Sequence, residues 1–273
     1  MTTAFSLAHL TVLNLAPPDM ISLAARSGFL FAGLRLIAVT PTTPGYDLMA
    51  DKAMMRETKQ RMADTGVGVF DIEFVKITPG IDIQSHKPFL EAGAELSAKH
   101  VVVAPYDPDL SRMAERIAEF CDLAAPLGLT INLEFFPWTV VPNLSTAVEV
   151  IGKADRSNSG ILVDTLHFDR SDSTLEQLDR VPTKWLNFVH VCDAAGEKPT
   201  TDEGLIFTAR EDRLPPGEGQ IDLVAILNHM PSDISVGVEV PMAGMTTVET
   251  YEDLARRCRE GAGRVVAQVK GAR

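Results

Sequence analysis

The sequence predicts an α/β fold, a single (β/α)8 TIM barrel with its working site at the C-terminal ends of the strands. Three observations carry that prediction. Short β-branched runs alternate eight times with longer amphipathic stretches, the pattern that builds a parallel sheet. The chain has 273 residues, and eight such units in about 250 residues is the usual size of a closed barrel. No GxGxxG follows any strand, so the competing open, dinucleotide-binding sheet lacks its phosphate loop. With no composition break or low-complexity linker, residues 1–273 read as one domain.

Taken in order, 5–15 reads as the first strand and 17–25 as a helix, opened by Pro17 and Pro18 and closed at Gly28. The second strand is 33–39, broken by Pro41 and the Pro44-Gly45 turn. A polar helix over 51–65 ends at Gly66, and 67–77 is the third strand, with Asp71 and Glu73 as acidic interruptions. Helix 88–99 leads to the fourth strand, 101–104 (VVVA), and helix 110–126 closes at Gly128. The fifth strand is 129–136, followed by a helix over 144–153. The sixth strand is the apolar run Ile161, Leu162, Val163, which ends abruptly in Asp164. After a short helix at 174–179 comes the seventh strand, 186–192. Residues 194–219 read as a long polar loop holding Arg210, Arg213 and a Pro-Pro-Gly-Glu-Gly turn. A helix over 221–230, the eighth strand over 234–240 and a closing helix over 248–268 complete the chain.

Composition narrows the function. The hydrophobic share of 45% and charged share of 23% are those of an ordinary globular protein. The balance of 37 acidic against 25 basic residues, a formal charge of −12, argues against a nucleic-acid partner. Cys121, Cys192 and Cys258 are odd in number and show no CxxC spacing, as in a reduced, cytoplasmic protein. No Lys or Arg precedes Arg26, so the basic start of a signal peptide is missing. No apolar run approaches the ~20 residues of a membrane span.

Four consecutive strands carry a metal-ligand side chain near their C-terminal ends: Glu134, Asp164, His190 and Glu239. In a barrel those ends converge on one mouth. Three carboxylates crowded together would repel one another unless a cation joined them. The set is hard and oxygen-rich, which favours one Mn, Mg or Co ion, and zinc is also compatible. One acidic residue at a strand end is often only a helix cap; a consecutive set of four is more specific. Asp193 is a partner for His190 or a loop cap.

The stretches Asp164-Thr-Leu-His167, His190-Val-Cys-Asp193 and Pro216-Gly-Glu-Gly-Gln-Ile-Asp222 resemble the xylose-isomerase-like TIM-barrel superfamily, the sugar phosphate isomerase/epimerase family, over nearly the whole chain. That superfamily includes sugar epimerases, hydroxypyruvate isomerase, inosose dehydratase, dehydroshikimate dehydratase and endonuclease IV. The resemblance implies that Glu134, Asp164, His190 and Glu239 are the metal ligands and that His167 and a loop Arg, best matched by Arg213, contact substrate. It also implies a homodimer or homotetramer. Two branches fit less well. The nuclease branch uses three zinc ions and additional histidines, and this chain has 6 in all. The ketose epimerase branch has an Arg shortly after the seventh-strand His, where this chain has Ala194, Ala195, Gly196 and Glu197 before Lys198.

The expected chemistry is proton abstraction next to a carbonyl. Glu134 and Glu239 would take and return the proton through an enediolate of a small sugar or hydroxy-keto substrate, giving isomerisation or epimerisation. Expulsion of a β-hydroxyl from the same intermediate would make the enzyme a dehydratase or lyase, with His167 as acid or base. A non-catalytic barrel is the remaining alternative. Trp138 and Phe136 are candidates to wall the site, or to pack a loop on the barrel. Glu73 and His9 are candidates to project into the mouth, each equally a buried polar contact, and Arg35 is a partner for a carboxylate of the protein or the substrate.

Overall fold

In the computed structural model, residues 3–40, 43–245 and 247–269 are described. Eight strands form a closed barrel in sequence order, every neighbouring pair parallel and β8 returning to β1. They are β1 (Phe5–Leu7), β2 (Phe31–Arg35), β3 (Gly68–Ile77), β4 (His100–Pro105), β5 (Thr130–Glu134), β6 (Ser159–Asp164), β7 (Phe188–Val191) and β8 (Ser235–Val238). The helices are α1 (Pro17–Arg26), α2 (Lys52–Thr65), α3 (Lys87–Glu95), α4 (Leu110–Ala124), α5 (Leu144–Ala154), α6 (Thr165–Asp169), α7 (Leu175–Leu178), α8 (Asp202–Glu211), α9 (Leu223–Asn228) and α10 (Val248–Val266). Among the described residues no helix is long and apolar enough to cross a membrane.

Local sequence explains where the helices begin. Asp51, Asp109, Asn143 and Asp222 each turn a side-chain oxygen onto backbone N–H groups of the first helical turn, meeting donors that the helix itself leaves unpaired. Pro17 and Pro18 open α1, where a missing N–H is harmless. The helices bury their apolar faces against the outside of the barrel in one large core. A second, smaller cluster of Phe70, Val102, Leu162 and Phe188 is separate from it. Leu162 and Phe188 lie two residues before Asp164 and His190, on the same strand faces, so this apolar cluster forms the floor beneath those two polar side chains.

Several boundaries differ from the sequence expectation. The first strand stops at Leu7 instead of 15, because the chain coils into a 3-10 turn at His9–Val12. There Thr11 donates its hydroxyl to the Val238 carbonyl and accepts the Val240 N–H, closing the barrel seam with a side chain. The second strand ends at Arg35, whose carbonyl accepts from Tyr46 N–H in place of a neighbouring strand. Pro41 lies outside the described residues. The expected loop over 194–219 contains α8, capped by Thr201, with Asp202 and Glu203 in its first turn and Arg210 in its last.

Helix α10 fixes the turn that follows Arg213. A Cβ on Gly261 would stand 2.3 Å from the Pro216 carbonyl oxygen, whereas one on Gly263 would meet only the flexible end of Arg259, at 3.1 Å. Both glycines lie inside the helix, where Ala is favoured by about 1 kcal/mol. Backbone overlap outweighs that gain at one site only. Gly261→Ala should destabilise the protein by ~1–3 kcal/mol and Gly263→Ala should leave its Tm unchanged or raised, measured by thermal melts.

Candidate metal centre

Glu134 ends β5, Asp164 ends β6, His190 lies in β7, and Glu239 directly follows β8. All four are buried, and one ligand atom from each lies within 4.8 Å of the other three. The barrel thus brings together the full set read from the strand ends. Gly237, beside His190 in the β7–β8 register, makes room for the imidazole: a Cβ there would lie 2.6 Å from His190 Cδ2.

The donors are short of partners. Both ring nitrogens of His190 and Oε1 of Glu134 are buried and make no hydrogen bond. Leaving such atoms dry costs about 1–3 kcal/mol each, and a cation accepting their lone pairs removes that penalty. Three carboxylates, one imidazole and unpaired oxygen and nitrogen atoms fit a single divalent ion.

One protein cation enters the same cluster. Arg213 is fully enclosed, with Nη1 2.7 Å from Asp164 Oδ2 and Nη2 3.1 Å from Glu239 Oε2. Its Nη1 also donates to the Glu239 carbonyl, and its Nε to the carbonyl of Ala209. Burial alone would raise the Asp164 carboxyl, but the Arg213 charge, helped by His167 and His190, overrides it and holds the pKa at about 2. Asp164 Oδ1 is taken by the N–H groups of Leu166 and His167, so this residue also caps α6. Glu134 is pushed the other way: burial, then the Glu239 and Asp164 charges, raise it well above its ordinary value.

His167 places Nε2 3.8 Å from Glu134 Oε1. Phe136 and Trp138 stack on each other and meet the His167 ring edge-on, at 4.8 and 5.3 Å between centroids. Burial lowers the His167 pKa to about 3, so its imidazole is neutral. These three residues line one cavity together with Arg213, Glu134 and Glu239.

The other sequence candidates divide. Glu73 and Arg35 line the cavity and form a buried ion pair at 3.0 Å. His9 does not line it. Its Nε2 bonds the Leu15 carbonyl at 2.9 Å and its Nδ1 accepts the Arg35 N–H at 2.8 Å, so of its two expected roles, substrate contact and buried polar contact, both ring nitrogens serve the second. Asp193 is a loop clamp: its carboxylate accepts from the N–H groups of Ala194, Gly217 and Ile221. Tyr106 and Arg210 also line the cavity. Tyr106 directly follows β4, so the strand-end rule applied to the fourth strand would have found it.

A family model described as the xylose isomerase-like TIM barrel matches residues 21–261. The chain belongs to that family. Among curated relatives, the inosose isomerase of Bacillus subtilis (strain 168) is 31% identical over 179 residues, 62% of this chain and 60% of that protein. The 3-dehydroshikimate dehydratase of Pseudomonas aeruginosa is 27% identical over 116 residues, 42% of this chain and 18% of that one. The chain thus spans about 60% of the length of the former and far less of the latter. The crystal structure of IOLI protein with a binding zinc atom superposes with a TM-score of 0.79 at 21% identity, covering 97% of this chain and 98% of that one. D-psicose 3-epimerase in the presence of D-fructose gives 0.73 at 15% identity, with 96% and 99% covered. At these identities the two structures share the fold.

The raised Glu134 carboxyl has a testable linkage. Between its ordinary value of 4.5 and its higher folded value, the native chain holds a proton that the unfolded chain has released, so this group's contribution to stability falls as pH rises. Under a chelator, Glu134→Gln should therefore gain stability on the wild type as pH rises above 4.5, in denaturant titrations of both proteins. Excess divalent ion should erase or reverse that gap.

Proposed function

We propose that this family member is a divalent-metal-dependent isomerase or epimerase of a small sugar or hydroxy-keto substrate. It works by proton abstraction next to a carbonyl, through an enediolate. The observation that carries the reading is the convergence of Glu134, Asp164, His190 and Glu239, with unpaired donor atoms on Glu134 and His190, where Glu134 and Glu239 line one cavity. The names of the relatives, inosose isomerase above all, support the substrate class.

A divalent ion held by these four residues would polarise the substrate's carbonyl and adjacent hydroxyl as a Lewis acid. The donor set favours Mn, Mg or Co, and zinc is the ion of the similar IOLI structure. Glu134 from β5 and Glu239 after β8 stand on strands three apart around the barrel. One takes the proton from carbon and the other returns one. Phe136 and Trp138 keep water from that side and offer an apolar wall to a ring face.

A second reading, a dehydratase or lyase, is favoured by one contact. His167 lies 3.8 Å from Glu134, a second proton-transfer group where loss of a β-hydroxyl needs an acid. As a neutral imidazole it can accept or donate.

Solvent deuterium incorporation into an inosose, followed by NMR, tests the proposal. Glu239→Gln should slow exchange at the carbon beside the carbonyl by roughly 10²–10⁴-fold, with metal content measured alongside. Unchanged exchange in a metal-replete variant would exclude Glu239 from proton transfer. His167→Asn should spare exchange in an isomerase, while in a dehydratase it should block release of water.

A further inference from the structure

We infer that Arg35 and Glu73 form a second anchor for the substrate, a donor–acceptor pair that grips a hydroxyl at the end remote from the metal and turns away a carboxylate there. This deepens the proposed function and rests on its metal-held orientation of the substrate.

The two residues are register partners on β2 and β3, and both line the cavity. In the closed barrel β2 stands opposite β6 and β3 opposite β7, the strands on which Asp164 and His190 are register partners. A substrate chelated by the quartet therefore turns its far end towards Arg35 and Glu73. The surroundings hold the pair still before any ligand arrives. The Arg35 N–H donates to His9 Nδ1 at 2.8 Å, and the guanidinium lies 5.3 Å from the centre of the Phe74 ring.

As a structural ion pair it is incomplete. Both side chains are buried, at 5% and 2% exposure, and Arg35 Nη2 stands 3.0 Å from Glu73 Oε1. That contact lies off the hydrogen-bond line: Glu73 Oε1 has no hydrogen-bond partner, and neither has Arg35 Nε. A buried pair repays its desolvation only when further hydrogen bonds complete it. Arg213, lining the same cavity, shows such completion, spending its donors on two carboxylates and two carbonyls. What the Arg35–Glu73 pair lacks, a hydroxyl supplies, accepting from the guanidinium and donating to the carboxylate. A carboxylate can only accept, and it would meet Glu73 as a like charge.

The test is calorimetric titration of the Mg-loaded protein with an inosose, with monodeoxy analogues missing one hydroxyl from the ring half remote from the carbonyl, and with 3-dehydroshikimate. The last offers the metal a hydroxy-ketone and carries a carboxylate elsewhere on its ring. At least one monodeoxy ring should bind about 10- to 100-fold more weakly than the inosose, the range of a hydrogen bond to a charged group. Replacing both residues, Arg35→Met with Glu73→Met, leaves no buried charge alone and should abolish that difference. Glu73→Gln, which frees Arg35 for an anion, should tighten 3-dehydroshikimate by about tenfold and tighten the inosose not at all. Monodeoxy rings that all bind as well as the inosose would overturn the pair. So would a difference that survives in the double variant, the mark of a purely structural pair. Unchanged 3-dehydroshikimate affinity in Glu73→Gln would overturn it too, and this arm stands if the double variant does not fold. If no divalent ion loads, the metal-dependent reading fails, and the same arm on the metal-free chain decides the pair separately.

Discussion

Crowding three buried carboxylates into one pocket is the constraint around which the rest of this molecule is arranged. Without compensation each would be driven towards its neutral form by burial and by its neighbours. Arg213 is the compensation that the chain supplies itself. It touches Asp164 and Glu239 but not Glu134, and the consequence is an uneven site. Asp164 is held firmly ionised while Glu134 binds its proton tightly. Two acids of similar intrinsic strength acquire different proton affinities in one pocket from where one guanidinium lies.

The fold and the quartet were legible because parallel barrels leave little freedom. Strands of alternating βα units point the same way, so their C-terminal ends share one rim, and residues such as Glu134 and Asp164 that end apolar runs must meet there. What was not legible depends on contacts between remote segments. His9 follows a strand shorter than its apolar run suggests, and its ring is claimed by the backbone of Arg35. Arg213 was expected to face substrate; it lines the cavity yet spends its donors on two carboxylates and two carbonyls. No local pattern reveals which way a loop arginine turns. The missed helix α8 is different, since its Thr201 cap, acidic first turn and basic last turn are all in the sequence. Its polar surface, with only Ala209 buried, hid the periodicity that identifies most helices.

The aromatic wall and the apolar floor serve the same electrostatics. Phe136 and Trp138 against His167, and Leu162 and Phe188 beneath the polar residues, give apolar walls to the region where proton affinities are set. Low polarity lengthens the reach of every charge in the pocket. It also keeps His167 neutral, so this residue brings hydrogen-bonding capacity to the pocket.

The clamp made by Asp193 has a consequence for how such a molecule can diversify. Asp193 and Leu214 exchange two backbone hydrogen bonds, and the Asp193 carboxylate holds Gly217 and Ile221. The intervening segment, α8 included, is thereby an excursion whose two feet are pinned side by side. Lengthening or replacing a loop closed at its base perturbs the remaining scaffold little, because the closure entropy grows only slowly with length. The part of the chain that precedes Arg213 in this excursion, α8 included, is in this sense interchangeable, while Arg213 at its foot and the rim beneath it stay in register.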